Sequence, residues 1–187
     1  MNNLSVLADA VKGIRAKSAP KGIAVKLVAI DGPGGAGKSS LARRLAAELG
    51  GAPILQTDDF ASWENPIDWW PEMIELALEP LADGKPAHFK PTDWGGDGKD
   101  EVTIEPAELV ILEGVSASRK EFRPYLTYTI WVDAPAELRL ERGLERDGEP
   151  ARAQWEKWMA EEDDFFRREK LREKADLILR GDQDLWS

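Results

Sequence analysis

The string Gly32-Pro33-Gly34-Gly35-Ala36-Gly37-Lys38-Ser39 constrains the fold of this chain more than any other stretch. It has the form G-x-x-x-x-G-K-[ST], a phosphate-binding loop; at ordinary residue usage such a match arises by chance in on the order of one chain in a hundred of this length. Its flanks agree with it. Residues 23–30 (IAVKLVAI) form a β-branched, mostly apolar run of strand length, the pattern of a strand covered on both faces in a parallel sheet. Leu41, Leu45 and Leu49, with Ala42 and Ala46 beside them, then recur at helical spacing until Gly50-Gly51 ends the helix. Glycines let successive backbone N–H groups turn toward one anion without Cβ clashes, and the helix adds the positive end of its dipole. Gly32, Gly34, Gly35, Ala36, Gly37, Lys38, Ser39 and Ser40 are therefore expected to cradle a di- or triphosphate. Lys38 would reach the terminal phosphates, and the Ser39 hydroxyl would ligate a magnesium ion bridging them. A plain strand-to-helix connector would need neither.

The remaining composition narrows the partners. At 187 residues the chain has room for one ordinary domain and is short for two. A formal charge of -10 repels duplex nucleic acid and anionic membrane, so neither is expected as a partner. There is no cysteine for a disulfide framework or a zinc cluster, and the single His88 cannot form a metal site by itself. The first residues lack the apolar core of a signal peptide and no run reaches membrane-spanning length, so a cytoplasmic location is expected.

Along the chain, Leu4, Leu7, Val11 and Ile14 fall at helical intervals ahead of the first strand. After the loop and its helix, Pro53-Ile54-Leu55-Gln56 reads as a brief extended stretch ending at Thr57-Asp58-Asp59-Phe60. From Pro66 to Gly84 the spacing of Trp70, Met73, Ile74, Ala77, Leu78 and Leu81 predicts a packed helix with Trp70 on its apolar face. Residues 88–100 carry too much glycine for regular structure, with Val102-Thr103-Ile104 a small strand at their border. Residues 108–113 (ELVILE) and 128–133 (YTIWVD) read as buried strands. Pro135 falls in the first turn of a helix running through about Leu144, with Asp133 placed to cap it. A long helix through Trp155 and Phe166 and a final strand at Leu177-Ile178-Leu179 follow. Strands separated by helices throughout predict one doubly wound α/β domain spanning residues 1–187, with a mainly parallel sheet and helices on both faces.

In such sheets functional side chains gather at the carboxyl ends of strands. Glu113 stands at one such end, where a second carboxylate would complete the magnesium shell beside Ser39; Asp58 stands at another, placed to take the proton of an acceptor hydroxyl. Arg139, Arg142 and Arg146 share one helix face, leading into a glycine turn within a candidate lid at residues 139–152. Arg142 and Arg146 are nearest the turn and are the preferred contacts to the phosphates. Glu137, Glu141 and Glu145 interleave with these arginines, so a solvated, salt-bridged helix face is the competing reading. Trp63 and Trp94, in polar loop contexts, are candidates for a substrate wall.

At this point the chain resembles the uridine kinase family, within the wider set that includes pantothenate kinase and phosphoribulokinase. Residues 30–39 look like that family's phosphate loop, and Thr57-Asp58-Asp59-Phe60 is similar to its D-S-F-Y segment, which implies that Asp58 is the base. Pro91-Thr92-Asp93-Trp94 is similar to its P-x-Y-D-F segment, which implies contact of Asp93 and Trp94 with a nucleoside. Leu112-Glu113-Gly114 resembles its E-G strand end, the arginines at 142 and 146 its lid, and residues 175–179 its closing strand. Ala61, Thr92, Trp94 and Gly95-Gly96-Asp97-Gly98 depart from the family's nucleoside side, while the phosphoryl-transfer side is kept. The resemblance implies an ATP- and magnesium-dependent kinase acting on the hydroxyl of a small molecule, most like uridine or cytidine kinase. Two rivals remain open. One is a nucleoside monophosphate kinase whose basic clamp would be Arg119, Lys120 and Arg123; the other is a nucleotide-binding regulator that transfers nothing.

Overall fold

A computed structural model describes residues 3–62, 65, 67–92 and 100–182. The elements run α1 (Asn3–Ala16), β1 (Lys26–Asp31), α2 (Lys38–Glu48), β2 (Ile54–Gln56), α3 (Trp70–Met73), α4 (Glu79–Ala82), β3 (Ala87–Phe89), β4 (Val102–Ile104), β5 (Leu109–Glu113), β6 (Leu126–Asp133), α5 (Ala136–Asp147), α6 (Arg152–Glu169) and β7 (Leu177–Arg180). Five strands form one sheet in the order β2-β5-β1-β6-β7, and every pairing in it is parallel. The alternation of β1 sends Leu27 and Ala29 into one apolar layer and Val28 and Ile30 into the other. The first layer is closed by Met73, Ala77, Leu78 and Leu81, the second by Leu7, Ala10 and Ile14 of α1 and Leu41 and Leu45 of α2. Both faces of the sheet are thus covered by helices, and each fully buried Leu or Ile contributes about 1.5–3 kcal/mol. This is the doubly wound α/β fold of a phosphate-loop protein. Register brings the strand ends level: Ile30 lies opposite Glu113, and Gln56 opposite Glu113 on its other side.

Four local expectations are corrected. The helix expected from residue 66 begins at Trp70, and a wide π-turn at Ile74–Leu78 joins α3 to α4. Trp69, just before the helix, is 4% exposed and packed against Phe60 and Phe122, and Trp70 packs half-buried against the same core beneath the Arg119 guanidinium, as its place on the apolar face predicts. Residues 87–89 are not loop but a strand, antiparallel to β4, with Ala87 and Phe89 inward and His88 outward against Thr103. Asp133 does not cap α5; it accepts from the Trp131 indole at 2.6 Å and from Arg172 at 2.7 Å, and Pro135 takes the cap position. α5 also continues past Leu144 to Asp147, and within it Gly143 lets the Trp155 ring of α6 lie against the helix: a Cβ there would stand 2.4 Å from the ring.

Candidate functional site: a phosphate loop facing an acidic cavity

β1 delivers the loop from the centre of the sheet, so both flanking strands can serve it. Its last residue, Asp31, is fully buried and accepts four hydrogen bonds: Gly32 N–H at 2.7 Å, Ser116 N–H at 2.9 Å, and the Ser118 N–H and hydroxyl at 2.7 Å each. Burial raises the proton affinity of this carboxyl, and the donors from Ser118 and Gly32 and the charge of Lys38 work against that rise. The result is a latch between the start of the loop and the segment after β5. Gly35 has φ +75° and sits on the backbone of Arg139, where a Cβ would meet the carbonyl oxygen at 2.6 Å. α2 begins on Gly37 with no side-chain cap, which leaves its first N–H groups to the loop's concave side. Lys38 is buried, and its Nζ donates to Pro33 O at 3.0 Å.

The two strand-end carboxylates do come together beside this loop. Ser39 Oγ donates to Glu113 Oε1 at 3.2 Å, and Gln56 Nε2 reaches Oε2 at 3.4 Å. Glu113 holds its proton more tightly than an ordinary glutamate, chiefly because it is buried; Lys38 opposes this and the nearby Asp58 charge adds to it. Asp58 itself is exposed, on a single 3-10 turn (Thr57–Asp59) that follows β2. Gly114 makes this closeness feasible: at φ +144°, a Cβ there would overlap Thr57 Oγ1 at 1.8 Å. Asp58 lines a small cavity of about 50 Å³ with Ala61, Ile67, Val115, Trp158, Glu161 and Glu162. The described edge of the second expected substrate segment passes the same turn, since Thr92 N–H donates to Asp59 O at 2.7 Å. Trp63, Asp93 and Trp94 themselves lie outside the described residues.

The arginines divide in a way their shared helix face does not foretell. Arg142 ties backbone to backbone, donating to Gly35 O at 3.1 Å and Gly181 O at 2.9 Å. Arg146 pairs through two nitrogens with Asp147, which raises its pKa, and lies over the Trp155 ring at 5.4 Å. Arg139 turns inward toward Glu162 and Asp163 of α6. Their partners are thus carbonyls and downstream carboxylates, not the interleaved glutamates. The basic residues after Gly114 are occupied elsewhere. Arg119 is buried, bonded to Glu121 and to Ile67 O; Lys120 pairs with Glu121 and Glu169; Arg123 donates to Ser118 O.

Sequence reasoning did not single out Glu162. It reaches in from α6, is 8% exposed, and its Oε2 accepts the Gly34 N–H at 3.0 Å. Burial raises its pKa, against the charges of Lys38 and Arg139 and the Gly34 bond. The W-x-x-W-x-x-x-E spacing of Trp155, Trp158 and Glu162 on one helix face was the available signal.

No protein-family model matches the sequence, and no curated protein matches it. Solved structures do. A possible uridine kinase from Bacillus stearothermophilus aligns over 94% of this chain and 98% of its own, with a TM-score of 0.71 at 19% identity. A candidate fructose transport system kinase from Silicibacter sp. TM1040 aligns over 92% and 98%, with a TM-score of 0.64 at 18% identity. Shikimate kinase from Acinetobacter baumannii, solved with shikimate, aligns over 85% of each chain, with a TM-score of 0.52 at 20% identity. The chain therefore has the fold of the small-molecule phosphate-loop kinases, the uridine kinase-like ones among them.

Proposed function

We propose that the protein is an ATP- and magnesium-dependent kinase that phosphorylates a hydroxyl of a small molecule, with a nucleoside of the uridine or cytidine type as acceptor. The observation that carries this reading is the Ser39–Glu113 pair at the phosphate loop, with the Asp58 charge acting on Glu113 and Asp58 lining a cavity together with Glu162, which holds the Gly34 N–H of the loop. Phosphoryl transfer needs little covalent chemistry from the protein beyond placing charge and orienting the nucleophile. The uncapped start of α2 and the buried Lys38 suit a polyphosphate. Ser39 and Glu113 would hold magnesium. Among the described residues no cluster of three His, Cys, Asp or Glu could bind a metal, so phosphate oxygens and water would complete its shell. Magnesium would supply shielding of the phosphate charge. Asp58 takes the proton of the acceptor hydroxyl, the oxygen bonds to the terminal phosphorus, and the bond from that phosphorus to the bridging oxygen breaks, releasing ADP. Lys38 balances the negative charge on the donor side, and Arg142 and Arg146 would join it by exchanging their Gly35, Gly181 and Asp147 partners for phosphate oxygens.

The charges around the cavity favour an uncharged acceptor. Its described wall carries Asp58, Glu161 and Glu162 and no cation, an environment that suits a ribose hydroxyl better than a phosphorylated acceptor. Arg119 is buried against Glu121 and Ile67 O, which takes one member out of the clamp that a monophosphate would need, while Arg123 keeps a buried Nη2 without a partner. Incubating the protein with labelled ATP, magnesium and a panel of nucleosides, nucleotides, pantothenate and sugars tests the reading. Transfer to a nucleoside supports it; ATP binding with transfer to none of the panel overturns it in favour of a regulator. Asp58→Asn should lower turnover by about 10²–10⁴-fold while leaving ATP affinity unchanged, and unaltered turnover would remove Asp58 from the chemistry.

A further inference from the structure

The phosphoryl transfer described above gives no role to Glu162, yet this carboxylate touches both the phosphate loop and the cavity that Asp58 lines. Its Oε2 accepts the Gly34 N–H at 3.0 Å on one side, and the residue lines the cavity with Asp58 on the other. The Lys38 ammonium acts on it, and the Arg139 guanidinium stands with Nη1 at 3.9 Å from Oε2. A loop amide and a guanidinium facing one carboxylate, within the field of the Lys38 ammonium, make a seat for a phosphate. The fit of the carboxylate to this seat is incomplete. The Arg139 side chain is only 5% exposed, but its Nε and Nη1 have no hydrogen-bond partner, and Nη2 reaches Asp163 only at 3.4 Å. Buried donors left unpaired are costly, and a group with three acceptor oxygens can satisfy more of them than a carboxylate held by the Gly34 bond.

We propose that Glu162 is an internal stand-in for the terminal phosphate. Its carboxylate holds the seat formed by the Gly34 N–H, Lys38 and Arg139; a nucleoside triphosphate displaces it, and Arg139 passes from Glu162 to the phosphate. The inference rests on the reading that this loop binds a triphosphate. Displacing Glu162 moves α6, and α6 also carries Trp155, packed on Gly34 and Gly143, and Trp158 and Glu161 of the cavity wall. Arrival of the donor thereby reshapes the acceptor side, which couples the two halves of the site. A diphosphate, lacking the terminal group, leaves Glu162 in place.

The test is calorimetric binding of magnesium AMP-PNP and magnesium ADP to the full chain. Glu162→Gln keeps the shape and removes the competing charge, so AMP-PNP affinity should rise on the order of tenfold while ADP affinity stays the same. Arg139→Gln should weaken AMP-PNP and spare ADP, a split that a merely structural arginine would not produce. In the unmodified protein, hydrogen exchange across residues 155–166 should speed up with AMP-PNP and not with ADP. AMP-PNP affinity unchanged or weakened in Glu162→Gln, or exchange indifferent to the third phosphate, overturns the inference while leaving the kinase reading intact. Failure of the unmodified protein to bind either nucleotide overturns both.

Discussion

Two buried carboxylates grip the phosphate loop from opposite sides, and they do so very differently. Asp31 accepts four hydrogen bonds, three of them from Ser116 and Ser118, on the segment that follows β5. Glu162 accepts the Gly34 amide and faces a guanidinium whose own donors are left over. Burial raises the pKa of both. The difference lies in satisfaction: a fully bonded carboxylate fixes one edge of the loop, and a poorly bonded one occupies a place that a better acceptor can take. Scaffold and moving part are thus told apart by their hydrogen-bond accounts and not by their burial.

Three measurements bear on this contrast. The largest effect is expected from Asp31→Ala, which strands two amides and a hydroxyl of the Ser116–Ser118 segment and the Gly32 amide in the interior. It should cost about 3–5 kcal/mol in urea unfolding. A similar loss from Glu162→Gln would erase the distinction. A smaller effect is expected from Gly143→Ala, whose added methyl group would push the Trp155 ring aside at a cost of about 1–3 kcal/mol. Its signature should be local: faster amide exchange at Gly34, with the Gly32 and Ser118 amides still protected. Uniform loss of protection would show that the two grips are one unit.

The smallest effect concerns pH. Because the folded state holds the Glu162 proton more tightly than the unfolded chain, the stability from this group is full below the ordinary glutamate value of 4.5. It declines as pH rises through the raised folded value. Burial is the main cause, Lys38, the Gly34 amide and Arg139 oppose it, and Asp163 adds to it. Glu162→Gln should therefore gain stability relative to the unmodified protein as pH is increased above 4.5, read as a widening gap between their urea midpoints. Parallel curves would show that folding does not change the proton affinity of Glu162.

The same contrast explains what the sequence could disclose. The strand, loop and first helix are legible because their signals are local: an apolar run, a glycine motif and a leucine repeat within residues 23–51. The carboxylates at Asp58 and Glu113 are legible because strand ends in parallel sheets converge on one edge. Periodicity put Arg139, Arg142 and Arg146 on one face correctly but could not say which turns inward, since that depends on α6 crossing at Gly143. Glu162 meets Gly34 across 128 residues and Asp31 meets Ser118 across 87, and no local pattern encodes either pairing. The helix expected from residue 66 starts only at Trp70 and widens at Ile74–Leu78, which periodicity alone does not disclose. The strand at Ala87–Phe89 was hidden by its brevity and by the glycines that follow.

The bridge formed by Arg142 has a bearing on biosynthesis. One guanidinium joins the carbonyl of Gly35 to that of Gly181, and Gly181 lies so near Ala36 that a Cβ would stand 1.9 Å from its carbonyl oxygen. The nucleotide motif is translated early, but the backbone that braces it emerges only after β7. A nascent chain therefore carries the whole motif well before it carries the backbone at Gly181 that braces it.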